Sequence, residues 1–371
     1  MKLKKLFAGV VAVAMMATMA MPSFAALSKT ETVAPNNDNE VEITKTYTGT
    51  GFGQETVELE IGNDGKPVEI THSSMTATEI AAAKNNMIIK ISDSQPNGIT
   101  VNDTTGTGTF KVKLPDYSRV GTYIYQIKEK AGDTAGMTYD TAQRWLVVHV
   151  INNLNAEGEV TTGLTYKVAM YNADPTSMTT AQLLAAKSDG FTNTYENGKF
   201  TVEKKVKGNM ADRDKVFNFR VTFTGIDNMK GKIKANGTDI TLDNGTYDFT
   251  LKHGDKCEFT NIPFGVTATV NELHVDENGN KTVIAKADDA TNDSYKVSYD
   301  NNQSVTIGSK TETDTDTGVK VNAEFATTII NASTENVDTG VILDNAPYML
   351  MLAVVAGGAM TLVIKKRREE E

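Results

Sequence analysis

Val41-Glu42-Ile43-Thr44-Lys45-Thr46-Tyr47 and Phe200-Thr201-Val202-Glu203-Lys204-Lys205-Val206 alternate apolar and polar side chains with the two-residue period of a β-strand. Each stretch breaks its own rule at one place. Lys45 falls on the parity of Val41, Ile43 and Tyr47, and Lys204 on that of Phe200, Val202 and Val206, whereas Lys205 points the other way with Thr201 and Glu203. An ammonium turned into an apolar core is costly enough that it must find a partner, give up its proton or react.

Working outward, strand-like alternation recurs over residues 57–61, 109–114, 123–129, 145–151, 165–171, 217–223, 247–251, 266–272 and 305–307. Turn signals such as Asn63-Asp64-Gly65, Asn244-Gly245 and Asn278-Gly279 separate these runs. Short strands at this spacing predict an all-β chain of antiparallel β-sandwiches. Helical patterns are confined to residues 76–84 and 180–187.

The chain also repeats an order of residues. A lysine in a first strand precedes a strand ending in glutamate and a late strand carrying asparagine: Lys45, Glu129, Asn193, and again Lys204, Glu272, Asn331. Two homologous domains, 40–196 and 199–334, fit this order with different loop lengths. Only Glu196-Asn197-Gly198 separates the last strand of one from the first strand of the next, which predicts a stiff, end-to-end rod.

Parity assigns all six residues to the interior. Glu129 continues the face of Tyr123, Tyr125 and Ile127, and Glu272 that of Val266, Ala268 and Val270. Asn193 accompanies Phe191 and Tyr195, and Asn331 accompanies Phe325, Thr327 and Ile329. A lysine and a glutamate buried together can exchange a proton, leaving a neutral amine and a neutral acid. That amine is a nucleophile, and the protonated acid can donate to the asparagine carbonyl and shuttle protons as ammonia leaves and a Lys–Asn amide forms. A structural Lys–Glu ion pair has the same parity and stands as the competing account.

The ends set the compartment. Lys2, Lys4 and Lys5 precede an apolar run over residues 6–21, and Ser23-Phe24-Ala25 offers small residues to a signal peptidase, predicting a signal peptide over 1–25 followed by a polar segment over 26–39. Residues 346–364 carry no charge and are followed by Lys365-Lys366-Arg367-Arg368 in a charged tail, 365–371. At about 1.5 Å per residue that stretch spans about 28 Å, enough for a bilayer core with a cytoplasmic basic stop. Just outside it, Asn336-Val337-Asp338-Thr339-Gly340 resembles the sorting signal of Gram-positive surface proteins, in which a sortase cuts between threonine and glycine; the first two positions depart from Leu-Pro.

With 37 Lys and Arg against 47 Asp and Glu, the net charge of −10 excludes nucleic acid as the main partner. The single cysteine, Cys257, excludes an internal disulfide framework and shares a strand face with Phe259, as a buried inert thiol would. His72, His149, His253 and His274 show no metal spacing. No nucleophile motif or phosphate loop is present, so neither a cofactor nor enzymatic turnover is predicted.

Gly121-Thr122-Tyr123-Ile124-Tyr125-Gln126-Ile127-Lys128-Glu129, Tyr139-Asp140-Thr141, His149-Val150, Phe191-Thr192-Asn193 and Ile262-Pro263-Phe264-Gly265-Val266 resemble the streptococcal two-domain major pilins with self-formed isopeptide bonds. The resemblance covers most of the chain. It implies two tandem immunoglobulin-like, CnaB-type sandwiches, bonds Lys45–Asn193 and Lys204–Asn331, and Glu129 and Glu272 as their catalytic acids. It further implies the backbone subunit of a surface pilus, exported, held transiently in the membrane and then fixed covalently to the wall or pilus. Its partners would be a pilin-class or housekeeping sortase acting at Thr339 and Gly340, neighbouring pilin subunits and a peptidoglycan precursor. Lys187, six residues before Asn193, is the candidate acceptor between subunits, expected to be exposed at the end of a short helix. The other function compatible with these features is a wall-anchored monomeric adhesin that binds a host ligand through its sandwiches.

Overall fold

The computed structural model describes residues 39–72, 74–188, 190–284, 291–301, 303–314 and 318–335. The expected signal peptide over 1–25, the segment 26–38, the motif 336–340, the apolar span 346–364 and the tail 365–371 lie outside the described residues. Among the described residues no helix is long and apolar enough to cross a membrane.

Strands dominate, and most of them form two pairs of sheets. In the first pair, one sheet runs in the order Lys90–Ile91, Thr107–Lys113, Glu40–Thr48, Gly190–Tyr195, Met137–Thr138. The facing sheet runs Val160–Tyr171, Arg144–Leu154, Gly121–Glu129, Leu59–Ile61, with Glu69–Thr71 also paired to Gly121–Glu129. Alternation decides which side chains lie between them: Val41, Ile43 and Tyr47 meet Tyr123, Tyr125 and Ile127, together with Leu146, Val148 and Val150. The second pair repeats the plan. Lys256–Pro263, Asn197–Lys207, Glu324–Ser333 and Tyr295–Asn301 form the centre of one sheet, and Thr246–Leu251, Phe217–Thr224, Thr267–Val275 and Lys281–Val283 form the other. Phe200, Val202, Phe219, Val221, Phe259 and Val270 are buried between them. Cys257 is buried in this core, and burial pushes its thiol up to about 11.

One departure from a purely antiparallel plan matters for the site. The first and last strands of each domain are adjacent and parallel. Lys45 is level with Phe191 and Tyr47 with Asn193, while Lys204 is level with Ile329 and Val206 with Asn331. Parity shows which face a residue takes but not the direction of its neighbour. Because these two strands run parallel, the chain enters a domain at one end of the sheet and leaves at the other.

Two other expectations change. The run 57–61 is not one strand: Gln54–Val57 pairs with Ile99–Asn102, and Leu59–Ile61 pairs with Gly121–Glu129, so the chain changes partner at Glu58 while keeping its alternation. The segment between the two last-and-first strands is shorter than three residues, because Asn197 and Gly198 already belong to Asn197–Lys207. Glu196 is held from both sides: its N–H donates to Gly136 O at 2.9 Å and its carbonyl accepts from Phe264 N–H at 3.0 Å. Asn261 Nδ2 donates across the junction to Gly51 O at 2.7 Å, and Asn197 Nδ2 to Thr50 O at 2.9 Å.

The helical patterns become Ala77–Asn86 and Thr180–Ala185. Each is opened by a capping box, Thr76 with Glu79 and Thr179 with Gln182. The second helix ends before Lys187 instead of at it.

Candidate functional site: two buried lysine, glutamate and asparagine triads

Each first strand delivers its lysine to the core as its pattern requires. Lys45 and Lys204 are fully buried, as are Asn193, Glu272 and Asn331, and Glu129 is 1% exposed. Lys45 sits between buried Ile43 and Tyr47 and has the Tyr47 ring 4.8 Å from Nζ. Lys204 Nζ lies 4.3 Å from the centre of the Phe217 ring and 5.5 Å from that of Phe219. These ring faces give the ammonium some electrostatic support while keeping water away.

In the first domain Lys45 Nζ approaches Glu129 Oε2 to 2.7 Å. The contact lies outside hydrogen-bonding alignment, so both atoms are buried without a well-oriented partner. The other oxygen, Glu129 Oε1, accepts from Asn193 Nδ2 at 2.6 Å. In the second domain Lys204 Nζ lies 3.0 Å from Glu272 Oε2, and Asn331 Nδ2 donates to Glu272 Oε1 at 2.7 Å. Lys204 Nζ also donates to Asn331 Oδ1. In both copies, therefore, one glutamate oxygen serves the amine and the other serves the carboxamide nitrogen.

Burial governs the charges. Desolvation lowers the Lys45 pKa against the opposing pull of the Glu129 carboxylate, and it raises the Glu129 pKa against the pull of Lys45. Lys204 is pushed down to about 8 by the same cause. In the first domain a lowered lysine beside a raised carboxyl favours transfer of the proton from amine to acid. A neutral amine, an acid and a carboxamide in mutual contact are equipped for amide exchange within the chain.

Several supporting residues carry no periodic signal and were missed. Asp140 N–H donates to Asn193 Oδ1 at 2.8 Å, from a loop that pattern reading passes over. In the second domain Asn292 Nδ2 donates to Glu272 Oε1 at 2.8 Å. Tyr299 accepts from the Glu272 N–H at 2.9 Å and donates to Ile284 O at 3.3 Å. The Tyr139-Asp140-Thr141 motif was visible in the sequence, but only as part of a resemblance.

Lys187 belongs to neither triad. It forms an antiparallel bridge with Tyr171 and is half-buried instead of fully exposed, with its pKa lowered by burial. Thr339 and Gly340 lie outside the described residues.

Comparison with known proteins bears on these domains. Residues 41–196 match the family model described as a Spy0128-like isopeptide containing domain, and residues 198–331 match a domain of unknown function (DUF7601). A protein named Pilin from Streptococcus pyogenes serotype M1 is 28% identical over 280 residues, covering 71% of this chain and 72% of its own length. The pilus tip adhesin Cpa from Streptococcus pyogenes is 30% identical over 100 residues, which is 25% of this chain and 15% of the adhesin. The crystal structure of the major pilin from Streptococcus pyogenes aligns over 80% of this chain and 99% of its own, at 19% identity and a TM-score of 0.41.

Proposed function

From the match of residues 41–196 to the Spy0128-like isopeptide containing domain, we propose that the chain is the structural backbone subunit of a surface pilus, each domain fastened internally by a Lys–Asn amide. The carrying observation is the division of labour at each glutamate, with one oxygen on the lysine and the other on the asparagine nitrogen.

The chemistry follows from that geometry. Glutamate takes the lysine proton in the dry core, leaving a neutral amine. The amine attacks the asparagine carboxamide carbon and the Nζ–Cγ bond forms. The glutamic acid protonates the nitrogen that leaves, the Cγ–Nδ2 bond breaks, and ammonia departs. The acid regains a proton from Nζ. Lys45 would bond Asn193 with Glu129 as the acid, and Lys204 would bond Asn331 with Glu272.

Assembly uses different residues. A sortase would cleave between Thr339 and Gly340, hold Thr339 as a thioester and pass it to an amine of the neighbouring subunit, for which Lys187 is the proposed acceptor. The final transfer, to a peptidoglycan precursor, would fix the fibre to the wall.

A denaturing gel of wall extracts tests the polymer. A pilus backbone gives a ladder of covalent multimers that survives boiling in detergent. A single band would reject the polymer and leave the wall-anchored adhesin.

A further inference from the structure

The first triad has a feature that the second meets differently. Asn193 Oδ1 accepts from the backbone N–H of Asp140 at 2.8 Å, whereas Asn331 Oδ1 accepts from Lys204 Nζ itself. A backbone N–H can only donate, so the asparagine atom facing it is the carbonyl oxygen, and the leaving nitrogen is thereby fixed toward Glu129.

The loop that offers this N–H is pinned on both sides. Tyr139 Oη donates to Glu55 Oε1 at 2.8 Å, and Thr134 Oγ1 donates to Glu55 Oε2 at 2.8 Å. Glu55 is buried without a cation among these contacts. On the other side, Asp140 Oδ2 accepts from Arg144 Nη2 at 2.6 Å and from Thr192 N–H at 3.1 Å, next to the asparagine strand. Arg144 is itself buried, lies 5.1 Å from the Phe191 ring centre and donates to Ala142 O at 3.1 Å. Such investment in a short loop exceeds what closing it between strands requires.

We infer that the Asp140 N–H is the oxyanion donor for amide formation in the first domain, and that Tyr139, Glu55 and Arg144 are positioning residues that aim it at Asn193. This rests on the Lys45–Asn193 bond proposed above. As Lys45 Nζ bonds to Asn193 Cγ, the electron pair of the C=O moves to Oδ1, where the N–H meets the developing charge. When the tetrahedral centre collapses, that pair returns, Cγ–Nδ2 breaks, and ammonia leaves with the proton from Glu129. No oxidant, metal or further reactant is required.

Proline provides the test. Thr141 N–H donates to Tyr139 O at 3.1 Å, closing a three-residue turn centred on Asp140, and Asp140 is not among the residues with positive φ. This is the inverse γ-turn, whose φ near −75° a proline adopts. Asp140→Pro therefore removes the N–H, while Asp140→Ala removes only the carboxylate. Cell-free synthesis of the chain followed by timed denaturation and peptide mapping gives the rate at which Lys45 and Asn193 become linked. The second domain, followed in the same samples, is the internal control.

Asp140→Pro should link the first domain about 100-fold more slowly than Asp140→Ala, the usual cost of one oxyanion donor. Tyr139→Phe should slow it about tenfold through misplacement of the loop. Equal rates for the proline and alanine variants, or an unslowed Tyr139→Phe, would overturn the inference. An unaltered chain that never links Lys45 to Asn193 would instead reject the bond on which it rests.

Discussion

Lys204 and Asn331 stand on adjacent parallel strands with the asparagine two residues beyond the lysine's level, and Lys204 Nζ donates to Asn331 Oδ1. Lys45 and Asn193 have the same offset, since Lys45 is level with Phe191. Two residues along a strand keep both side chains on one face, and a lysine is long enough to cover that diagonal. The glutamate reaches the pair from the opposite sheet, so the triad exists only once the sandwich has closed.

Ammonia loss reads out this geometry directly. Intact mass of the folded ectodomain should fall below the sequence mass by about 34 Da, two ammonia molecules, if each glutamate serves its own lysine and asparagine. Glu129→Ala should restore about half of that deficit and leave the second bond intact. An unshifted mass would sink both bonds, and loss of both by one substitution would show that the triads are not independent.

How much of this was legible depends on what periodicity encodes. The strand period places Lys45 and Lys204 on buried faces, and the same count assigns the faces of Glu129, Asn193, Glu272 and Asn331. Strand direction is another matter. Alternation reads identically in parallel and antiparallel partners, so the parallel pairing of Glu40–Thr48 with Gly190–Tyr195 left no trace in the pattern. The change of sheet at Glu58 was hidden for the same reason. Asp140 contributes through its backbone N–H, which every residue except proline possesses, so nothing in its side chain announced the contact. Lys187 was placed at a helix end by composition, but its bridge to Tyr171 depends on a strand distant from that helix.

Removing either bond should cost stability through the unfolded chain. Treated as cross-links closing about 148 and 127 residues, the proposed amides would stabilise by roughly 5 kcal/mol each in a loop-entropy description. Asn193→Ala and Asn331→Ala should each lower the denaturant midpoint of their own domain, measured by chemical unfolding, and the double variant should combine the two losses because the triads share no residue. A single variant as stable as the unaltered chain would reject the stabilising role.

Acidity offers a separate reading of Lys204. With its folded pKa pushed down to about 8 by burial, an unlinked Lys204 binds fewer protons in the folded chain than in the unfolded one between that value and the ordinary 10.5. Stability therefore rises with pH across this window and is lost as pH falls back toward about 8. Asn331→Ala, which leaves the amine free, should show that rise in unfolding experiments. The linked chain should lack it, because an amide nitrogen does not titrate. A rise of equal size in both proteins would mean that Lys204 is unbonded in each.

Polymerisation should depend on a lysine outside the triads. Lys187→Ala should collapse the ladder of wall extracts to monomer while leaving both ammonia losses unchanged in the mass spectrum. Burial lowers the Lys187 pKa, enlarging the neutral fraction available to attack a thioester at Thr339. A ladder that persists in the variant would assign the acceptor to another lysine.

The parallel first and last strands make the mechanical prediction sharpest. Force entering at the start of Glu40–Thr48 and leaving at the end of Gly190–Tyr195 loads adjacent parallel strands in shear, and the Lys45–Asn193 amide would lie directly on that path. A linked first domain should then show no unfolding step in single-molecule stretching, since only the few residues outside the bond can extend. Asn193→Ala should release a step of roughly 500 Å, the length of about 148 residues at about 3.4 Å each. An unaltered chain that yields that same step would show that the load passes through hydrogen bonds and not through the amide.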